Sequence, residues 1–325
     1  MEASIAVRTG NDAPGSPAVR TVIVVPVYED RRAARMLFDR IAALQNAGMF
    51  IVAIDDGSLR NPLSVADLGE AGLTGEIIRL RRNVGHQQAI AVGICHVADA
   101  FPDATCIVMD ADGEDPPDAI PQMLQALAGN GVDAVVARRR RRVASLSFRI
   151  FYAAYRALFM LLTGRVVNFG NFMALGPLAV KRLAARPELA IHTAATLLIS
   201  ELRTVRLPVN RAARYEGVSR MNFPALVLHG FRALMVFAEL VLIRVGIACA
   251  VIAALTILGI AGSVLLKSIG WATPGWFSVA LGILFLTLLQ TGALTLISLL
   301  LTGILRGGSI APFRYRDLID DIERT

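Results

Sequence analysis

The sequence predicts an α/β domain on a mostly parallel sheet, followed by interfacial amphipathic helices and two transmembrane helices. Two observations support this prediction. In roughly the first 140 residues, short β-branched runs alternate with segments of helical periodicity, the pattern of parallel strands joined by crossover helices. Farther along, the chain carries two long apolar stretches without charge, and its mean hydropathy of +0.56 is too high for an ordinary soluble protein.

The predicted elements of the first part alternate regularly. Strands are predicted over residues 21–27, 49–55, 76–80, 104–110 and 132–137. Helices are predicted between them, over about 30–47, 85–98 and 118–128. Ligands of parallel sheets bind beyond the carboxyl ends of the strands. We therefore expect Tyr28, Asp55, Asp56 and the acidic segment 110–115 to meet at one edge.

The acidic segment follows an apolar β-branched run and is the strongest local signal in the chain. Asp110, Asp112, Glu114 and Asp115 lie within six residues. Carboxylates this close repel one another and raise each other's pKa, so a shared divalent cation is favoured. The alternative is that they form a turn and cap a helix before the two prolines that follow.

The charge of the chain points to anionic partners. The formal net charge is +7, and only Lys181 and Lys267 are lysines, so nearly all basic side chains are arginines, which bind phosphate in bidentate fashion. No nucleic-acid-binding motif is present, so nucleic acid is not an expected partner. Cys95, Cys106 and Cys249 form no metal or disulfide pattern, which is typical of packing residues in a reducing compartment.

Two segments are long enough to cross a bilayer. Residues 245–266 carry no charge over 22 positions, enough at about 1.5 Å per residue for a hydrocarbon core of roughly 30 Å. The second predicted span covers about 276–305. The connecting loop carries Lys267 as its only charged residue and is flanked by Trp271 and Trp276, whereas arginines cluster on the opposite side. This distribution predicts cytoplasmic termini at the inner (cytoplasmic) membrane, and residues 1–20 lack the apolar core of a signal peptide.

Two further apolar segments carry their polar side chains on one stripe. They cover residues 144–163 and 223–244. Both are predicted to lie in the membrane interface, with buried amphipathic core helices as the alternative. The five arginines 138–142 have two interpretations, a solvated or lipid-facing run and a direct contact with substrate. His192 and His229 are interpreted as structural side chains, not as catalytic groups.

Five motifs appear in a fixed order before the spans. They are Val24-Val-Pro-Val-Tyr-Glu-Asp30, Asp55-Asp-Gly-Ser58, Arg82-Asn-Val-Gly85, Asp110-Ala-Asp-Gly-Glu-Asp-Pro-Pro117 and Arg214-Tyr-Glu-Gly-Val-Ser-Arg220. Together they resemble the inverting family 2 glycosyltransferases, in particular the polyprenyl-phosphate enzymes similar to dolichol-phosphate mannose synthase and bactoprenol glucosyltransferase. The resemblance implies a Rossmann-like GT-A domain that moves one sugar from a nucleotide sugar, UDP-linked in our interpretation, to undecaprenyl or a related polyprenyl phosphate.

The resemblance also implies an organisation for the chain. A tail, a cytoplasmic catalytic domain, a juxtamembrane helix, two spans and a cytoplasmic tail are expected over residues 1–20, 21–222, 223–244, 245–305 and 306–325. An anionic membrane is an expected partner because of the arginines beside the spans. A homo-oligomer formed through the spans is a further expectation.

The motifs assign residues to the donor. Pro26 and Tyr28 would place an aromatic ring against a nucleobase, and Asp55 or Asp56 would accept hydrogen bonds from base or ribose. The alternatives are core packing for the tyrosine and a plain turn for the aspartates. The residues of the same motifs also assigned to donor binding are Glu29, Asp110, Ala111 and Ser219.

The residues assigned to catalysis are mainly charged side chains that would bind a cation or phosphate. Asp112, with Asp110 and Glu114, would hold Mg²⁺ or Mn²⁺ against the donor diphosphate. Arg214 and Arg220 would clamp the phosphates of donor and acceptor, with a solvated juxtamembrane cluster as the alternative. A phosphate acceptor has its second pKa near 6 and is largely ionised at neutral pH, so its attack needs no strong general base.

The sequence departs from the family pattern at three places. Asn171 is the candidate catalytic residue at a position where better-known relatives carry an acid, Glu114 stands where mannose synthases often have glutamine, and His86-Gln87-Gln88 replaces a commoner Gly/Lys-containing segment. These differences leave two alternatives open. One is a transferase for another lipid or glycan acceptor, and the other is a non-catalytic membrane scaffold that retains a nucleotide-sugar fold.

Overall fold

A computed structural model describes residues 20–44, 48–139, 146–165, 169–216, 223–271, 275–306 and 313–325. The strands among these residues are β1 (Thr21–Val27), β2 (Met49–Asp55), β3 (Gly75–Leu80), β4 (Thr105–Val108), β5 (Ala134–Arg139), β6 (Met173–Leu175), β7 (Thr204–Val209) and β8 (Ile319–Arg324). Within the described ranges they form one eight-stranded sheet in the order β7-β5-β6-β4-β1-β2-β3-β8.

Ten α-helices are described in the same ranges. They are α1 (Arg31–Ala42), α2 (Val65–Glu70), α3 (His86–Ala100), α4 (Ile120–Leu127), α5 (Leu146–Thr163), α6 (Pro177–Ala184), α7 (Thr193–Ile199), α8 (Phe223–Val236), α9 (Ala238–Ser268) and α10 (Trp276–Arg306).

The sheet is mostly parallel, as the sequence predicted. β1 pairs in parallel with β2 and β4, β2 with β3, and β5 with β7. β6 and β8 are antiparallel to their neighbours. Every residue of β1 is buried, and its alternate side chains contribute to two hydrophobic clusters, one including α3 and α6 and the other α1 and α4. A strand covered on both faces needs an uninterrupted apolar run, which explains the β1 sequence.

The sequence analysis did not predict β6, β7 and β8, and the reason can be identified for β6 and β8. β6 has only three residues, too few to show an alternating pattern. β8 has the polar sequence Ile319-Asp-Asp-Ile-Glu-Arg324 and follows the apolar helices, so it was assigned to a cytoplasmic tail. In the structure β8 completes the edge of the sheet beside β3. The C-terminal residues are therefore part of the α/β domain.

A buried charge cluster fastens β8 to the sheet. Glu76 on β3 is fully buried and bonds to His96 and to Arg324, the latter with Nε 2.7 Å from the carboxylate. Burial raises the pKa of Glu76, but His96 and Arg324 outweigh burial, so the pKa lies below its ordinary value of 4.5. This contribution to stability is therefore present above pH 4.5 and is lost as the pH falls through the lowered pKa.

Replacing Glu76 with glutamine is expected to destabilise the protein by about 3 kcal/mol, because removing one partner leaves the buried cluster uncompensated. Tm in detergent should fall by roughly 6 °C or more. Glu323→Gln in β8 is the matched control, since its pair with Arg79 is partly exposed and is worth at most about 1 kcal/mol. Equal shifts for the two variants would show that the buried cluster contributes no more than a surface pair.

Helices α9 and α10 are long and apolar enough to cross a membrane. Their large apolar side chains point outward, with Leu258 68 % exposed and Leu300 59 % exposed. An apolar surface of this extent requires an apolar environment. α9 and α10 include the two spans predicted at 245–266 and 276–305, and α9 begins seven residues earlier, at Ala238.

The prediction of one continuous helix over residues 223–244 is wrong, because the structure has two helices there. α8 ends at Val236, and α9 begins after Phe237, whose backbone is not helical (φ −102°, ψ 18°). The ring of Phe237 lies 5.6 Å from that of Phe159 on α5, edge to face, and Ala195 on α7 belongs to the same buried cluster. The helix is thus interrupted at one residue, and the buried ring of that residue packs against α5.

Candidate active site

The carboxyl ends of β1, β2 and β4 lie at one edge of the sheet because these strands are parallel neighbours, with Val27 opposite Asp55. Pro26 is tolerated in this central strand because pairing with β4 ends at Val24 and Val108. A missing N–H beyond that point costs no ladder hydrogen bond. The three loops that follow these strands form the candidate site.

Asp55 orders the loop after β2. It is 1 % exposed, and its two carboxylate oxygens each accept a backbone N–H at 2.9 Å, from Ser58 and from Leu63. Its carboxylate thus folds the loop on which the neighbouring site residues lie. Asp55 therefore stabilises a turn, as the alternative interpretation of its motif predicted.

Glu29 holds the same loop from the β1 side. Its carboxylate accepts the backbone N–H groups of Leu59, Arg60 and Asn61, and its own N–H donates to Ser58 Oγ at 2.8 Å. The backbone N–H groups of Leu59 and Arg60 hold the pKa of Glu29 below its ordinary value. Glu29 therefore orders the loop through its side chain, a role that its sequence motif did not indicate.

Asp56 joins the end of β2 to the loop before α3. It accepts the N–H of Val84 at 2.7 Å and of Gly85 at 2.9 Å, and burial raises its pKa above the ordinary value despite these bonds. Gly57 has φ +72°, and a Cβ there would lie 2.6 Å from the carbonyl carbon of Arg82. Glycine is thus required where the two loops approach each other.

A cavity of about 140 Å³ opens between these loops. It is lined by Pro26, Val27, Tyr28, Asp56, Asn83, Gly85, His86 and Ala89. The structure therefore brings Pro26, Tyr28 and Asp56 together as the sequence predicted, with Tyr28 44 % exposed. Asp55 lies behind the loop and is not part of this lining. An aromatic ring beside a carboxylate suits a planar group with hydrogen-bond donors.

The acidic turn after β4 is ordered partly by its own side chains. Asp115 is buried and accepts the N–H of Asp110, and Asp112 accepts the N–H of Glu114 at 2.9 Å. Gly113 has φ +85°, and a Cβ there would lie 2.7 Å from the ring of Tyr215. The turn-forming interpretation is therefore confirmed for part of the segment, and it does not exclude a ligand role for the remaining oxygens.

A segment about 100 residues later in the chain covers the acidic turn. Two backbone hydrogen bonds join residues 212 and 215 to the turn. Arg214 lies between two acids, with Nη2 2.8 Å from Asp112 and Nε 3.0 Å from Glu114, and Arg211 also pairs with Glu114. The carboxylates are thus balanced by guanidinium groups. The structure brings Arg214 to the site, as predicted, and adds Arg211, which no sequence motif indicated.

His86 connects the cavity to the acidic turn. Its Nε2 lies 3.2 Å from Asp110 Oδ1 and 3.1 Å from the side-chain amide nitrogen of Asn171. Burial lowers the pKa of His86, but the nearby aspartates outweigh burial and raise it. Asn171 also accepts from Gln87 Nε2 at 3.3 Å. The departure of segment 86–88 from the family pattern was the only sequence signal for this histidine.

The predicted metal ligands are only partly arranged for a cation. Among the described residues, no group of three or more His, Cys, Asp or Glu side chains is placed to hold a metal ion. Glu114 is engaged by both arginines and its side chain is 8 % exposed, whereas Asp110 and Asp112 are 22 % and 18 % exposed. Carboxylate oxygens suit Mg²⁺ or Mn²⁺. The donor set therefore fits such an ion, with Asp110 and Asp112 as the more accessible ligands.

Some predicted residues lie outside the described ranges. Ser219 and Arg220 belong to residues 217–222, and three of the five consecutive arginines belong to residues 140–145. Arg138, at the end of β5, is exposed. Ala111 is buried between Asp110 and Asp112 and lies in the acidic turn as expected.

A comparison with known protein families identifies the part of the chain that carries most of these loops. Residues 22–180 match the sequence model of Glycosyl transferase family 2. Residues 22–180 are a domain of that family. The family 2 match runs from β1 into α6 and therefore includes the cavity, the acidic turn and Asn171, whereas the Arg211–Arg214 segment and the apolar helices lie beyond it.

Individual proteins are also similar to this chain in sequence. The chain is 30% identical to the undecaprenyl-phosphate 4-deoxy-4-formamido-L-arabinose transferases of Salmonella paratyphi A and Salmonella dublin. Each match covers 65% of this chain and 65% of the relative, so the chain spans just under two thirds of the length of these relatives.

Two crystal structures of glucosyl-3-phosphoglycerate synthase from Mycobacterium tuberculosis are also similar. The complex with Mn²⁺, uridine diphosphate and phosphoglyceric acid has a TM-score of 0.49 at 14% identity, covering 68% of this chain and 78% of that chain. The complex with Mg²⁺ and uridine diphosphate has a TM-score of 0.46 at 15% identity, covering 68% and 79%.

Proposed function

We propose that this protein is an inverting glycosyltransferase that moves one sugar from a nucleotide sugar to a polyprenyl phosphate at the cytoplasmic face of the inner membrane. The acidic turn carries the proposal: it lies beside the Tyr28–Asp56 cavity and under Arg214, within a chain that continues into two apolar helices. The undecaprenyl-phosphate transferases of Salmonella support undecaprenyl phosphate as the acceptor.

The donor nucleoside would occupy the cavity. Tyr28 would stack on the base, and Asp56 would accept hydrogen bonds from base or ribose through lone pairs not used by the backbone. Pro26 and Ala111 would shape the walls, and Asp55 and Glu29 would keep the loop in place. A UDP-linked donor is our proposal for the nucleotide.

The diphosphate would lie at the acidic turn. Asp110 and Asp112, with Glu114 adjacent, would hold Mg²⁺ or Mn²⁺, which supplies positive charge to the departing nucleotide. Arg214 would exchange part of its contact with Asp112 for phosphate oxygens, because a guanidinium binds carboxylate and phosphate with the same geometry. Arg220 and Ser219 of the following loop are proposed to complete the phosphate contacts.

The acceptor is already a nucleophile. A phosphate monoester is largely ionised at neutral pH, so no side chain has to remove a proton. Asn171 cannot act as a base, and its amide is bonded to Gln87 and lies against His86. Its proposed role is to hold the wall of the site between cavity and acidic turn. Attack from the face opposite the nucleotide inverts the anomeric carbon.

The apolar helices would anchor the enzyme. α9 and α10 are proposed to cross the inner membrane with both chain termini in the cytoplasm. α5 and α8 would lie in the interface, since Leu161 and Phe231 expose 72 % and 59 % of their surface. Arginines near the helix ends would bind anionic headgroups, and a homo-oligomer would form through the spans.

One assay tests the proposal against its alternatives. Purified protein is incubated with radiolabelled UDP- or GDP-sugars, Mn²⁺ or Mg²⁺, and undecaprenyl phosphate, and label is measured in the organic extract. We expect lipid-linked label from one donor. Label in a different lipid or glycan would favour the other-acceptor alternative. Nucleotide binding without transfer to any acceptor would favour the scaffold, the alternative that Asn171 keeps open.

Asn171→Ala is expected to retain transfer to within about tenfold of the wild type, because the ionised acceptor needs no base and the loss is limited to about one hydrogen bond. The rate of lipid-linked product formation at saturating substrates is the measurement. Gln87→Ala is the matched control, since it removes the other end of the same hydrogen bond. Complete loss of transfer in Asn171→Ala alone would show that the amide takes part in the chemistry.

A further inference from the structure

Two histidines far apart in sequence meet between α7 and α8. His192 Nε2 lies 3.1 Å from His229 Nε2, and the ring centroids are 4.4 Å apart. His192 is 3 % exposed and stands immediately before α7, whereas His229 lies near the middle of α8. The family 2 match ends at residue 180, so the pair lies outside the part of the chain that it describes.

The backbone determines where the protons of this pair lie. His192 Nδ1 accepts the N–H of Ala195 at 3.2 Å. A neutral imidazole has one donor and one acceptor nitrogen, so His192 carries its proton on Nε2 and donates it to Nε2 of His229. His229 then carries its own proton on Nδ1. One direct hydrogen bond between neutral rings follows.

Burial favours the neutral form of both rings. Burial and the adjacent His229 lower the pKa of His192 to about 3. Burial, followed by the charges of His86 and Arg232, also lowers the pKa of His229, against an opposing effect of Asp110. Both shifts favour the neutral rings that this hydrogen bond requires.

The pair continues a chain of contacts that begins at the active site. Gln87, buried in the first turn of α3, donates to Asn171 and accepts the N–H of Thr193 at 2.8 Å. Thr193 is the first residue of α7, next to His192. Asn171 lies against His86, which pairs with Asp110. Polar contacts thus extend from the acidic turn to α8.

Apolar packing alone does not fix the register of α8. Its other contacts among the described side chains include the cluster around Phe159 and Ala233 and the close approach of Gly230 to Tyr155, whose hydroxyl donates to the Gly230 carbonyl at 3.2 Å. Apolar burial is non-directional, whereas a hydrogen bond between rings of fixed tautomer accepts one position. His192–His229 is therefore, with the Tyr155–Gly230 hydrogen bond, a directional contact that restricts where α8 lies along its axis.

We propose that His229 and His192 are positioning residues that hold α8 in the register at which the lipid phosphate reaches the acidic turn. The proposal rests on the proposed function. The acceptor is the substrate concerned, because the described residues that line the donor cavity belong to β1 and the loop after it, to the loop after β2, and to α3 and the loop before it, and none of them belongs to α8. A lipid held in the membrane must approach along the elements next to α9, and α8 is one of them, since only Phe237 separates it from α9 in the chain.

The experiment compares His229→Leu with His229→Gln in the full-length protein. Glutamine places an acceptor oxygen where His229 Nε2 lies, whereas leucine offers none. We expect His229→Leu to raise KM for undecaprenyl phosphate about tenfold, the effect of one lost hydrogen bond, with kcat and the Kd for UDP changed less than twofold. Hydrogen exchange in residues 223–236 should become faster in the same variant, and His229→Gln should restore both values.

Three outcomes of these measurements would contradict the proposal or a part of it. Equal exchange and equal KM in the leucine and glutamine variants would overturn the positioning role. Faster exchange with an unchanged acceptor KM would overturn the link to the acceptor. Absence of lipid-linked product from the wild-type protein would overturn the proposed function and this link together, while the exchange comparison would still decide whether the pair holds α8.

Discussion

Replacing Asp112 with asparagine is expected to reduce sugar transfer at least about 100-fold, because the developing charge on the departing nucleotide loses the cation that a carboxylate holds. The fold should be preserved, since the asparagine oxygen can still accept the Glu114 N–H and Arg214 keeps Glu114 as a partner. Lipid-linked product is measured across a range of Mn²⁺ concentrations, and Mn²⁺ binding is measured separately by electron paramagnetic resonance.

The control for this variant is Asp118→Asn. Asp118 lies three residues beyond the acidic segment, and its side chain is 67 % exposed and pairs with Arg40 at the surface. We expect its transfer rate to remain within about twofold of the wild type, as for a surface ion pair. Wild-type activity and Mn²⁺ affinity in Asp112→Asn would place the cation elsewhere.

Arg214→Lys is the second substitution with a large expected effect. Arg214 bonds to Asp112 and Glu114 at once, and a lysine ammonium cannot reproduce this planar fork. We expect kcat/KM to fall about 100-fold and the Kd for UDP to rise about tenfold, since the lost guanidinium serves both the resting turn and the bound diphosphate. Calorimetric titration with UDP and the transfer assay provide the two values.

Arg206→Lys, at an exposed position on β7, controls for a general loss of arginine. It should leave both quantities unchanged within about twofold. Should Arg214→Lys bind UDP normally and transfer sugar normally, Arg214 would be a structural partner of the acidic turn and not a phosphate contact.

The sequence predicted the central part of the fold well. β1 and β2 have the predicted bounds, and β3, β4 and β5 differ at their ends by one to two residues, because a buried parallel strand requires a continuous β-branched run that is visible locally. The convergence of Tyr28, Asp56 and Asp110 at one edge followed from parallel pairing. β8 could not be predicted, because a polar edge strand is identified only by the neighbour with which it pairs.

The partners of the site residues were less predictable. Asp55 and Glu29 were expected to bind a ligand, and their carboxylates accept backbone N–H groups of the loop after β2. Which N–H groups approach a carboxylate depends on the path of the loop, which residue type does not encode. His86 gave only a weak signal, as a departure from a motif.

The sequence by itself determined the class of the fold, the apolar helices and the position of the acidic turn at a strand end, because periodicity and hydrophobicity act over short stretches of chain. Only the tertiary structure decided which charges meet. Glu114 and Arg214 are 100 residues apart, and His192 and His229 are 37 apart. Their energies depend on distance and burial, and both quantities are set when the whole chain has folded.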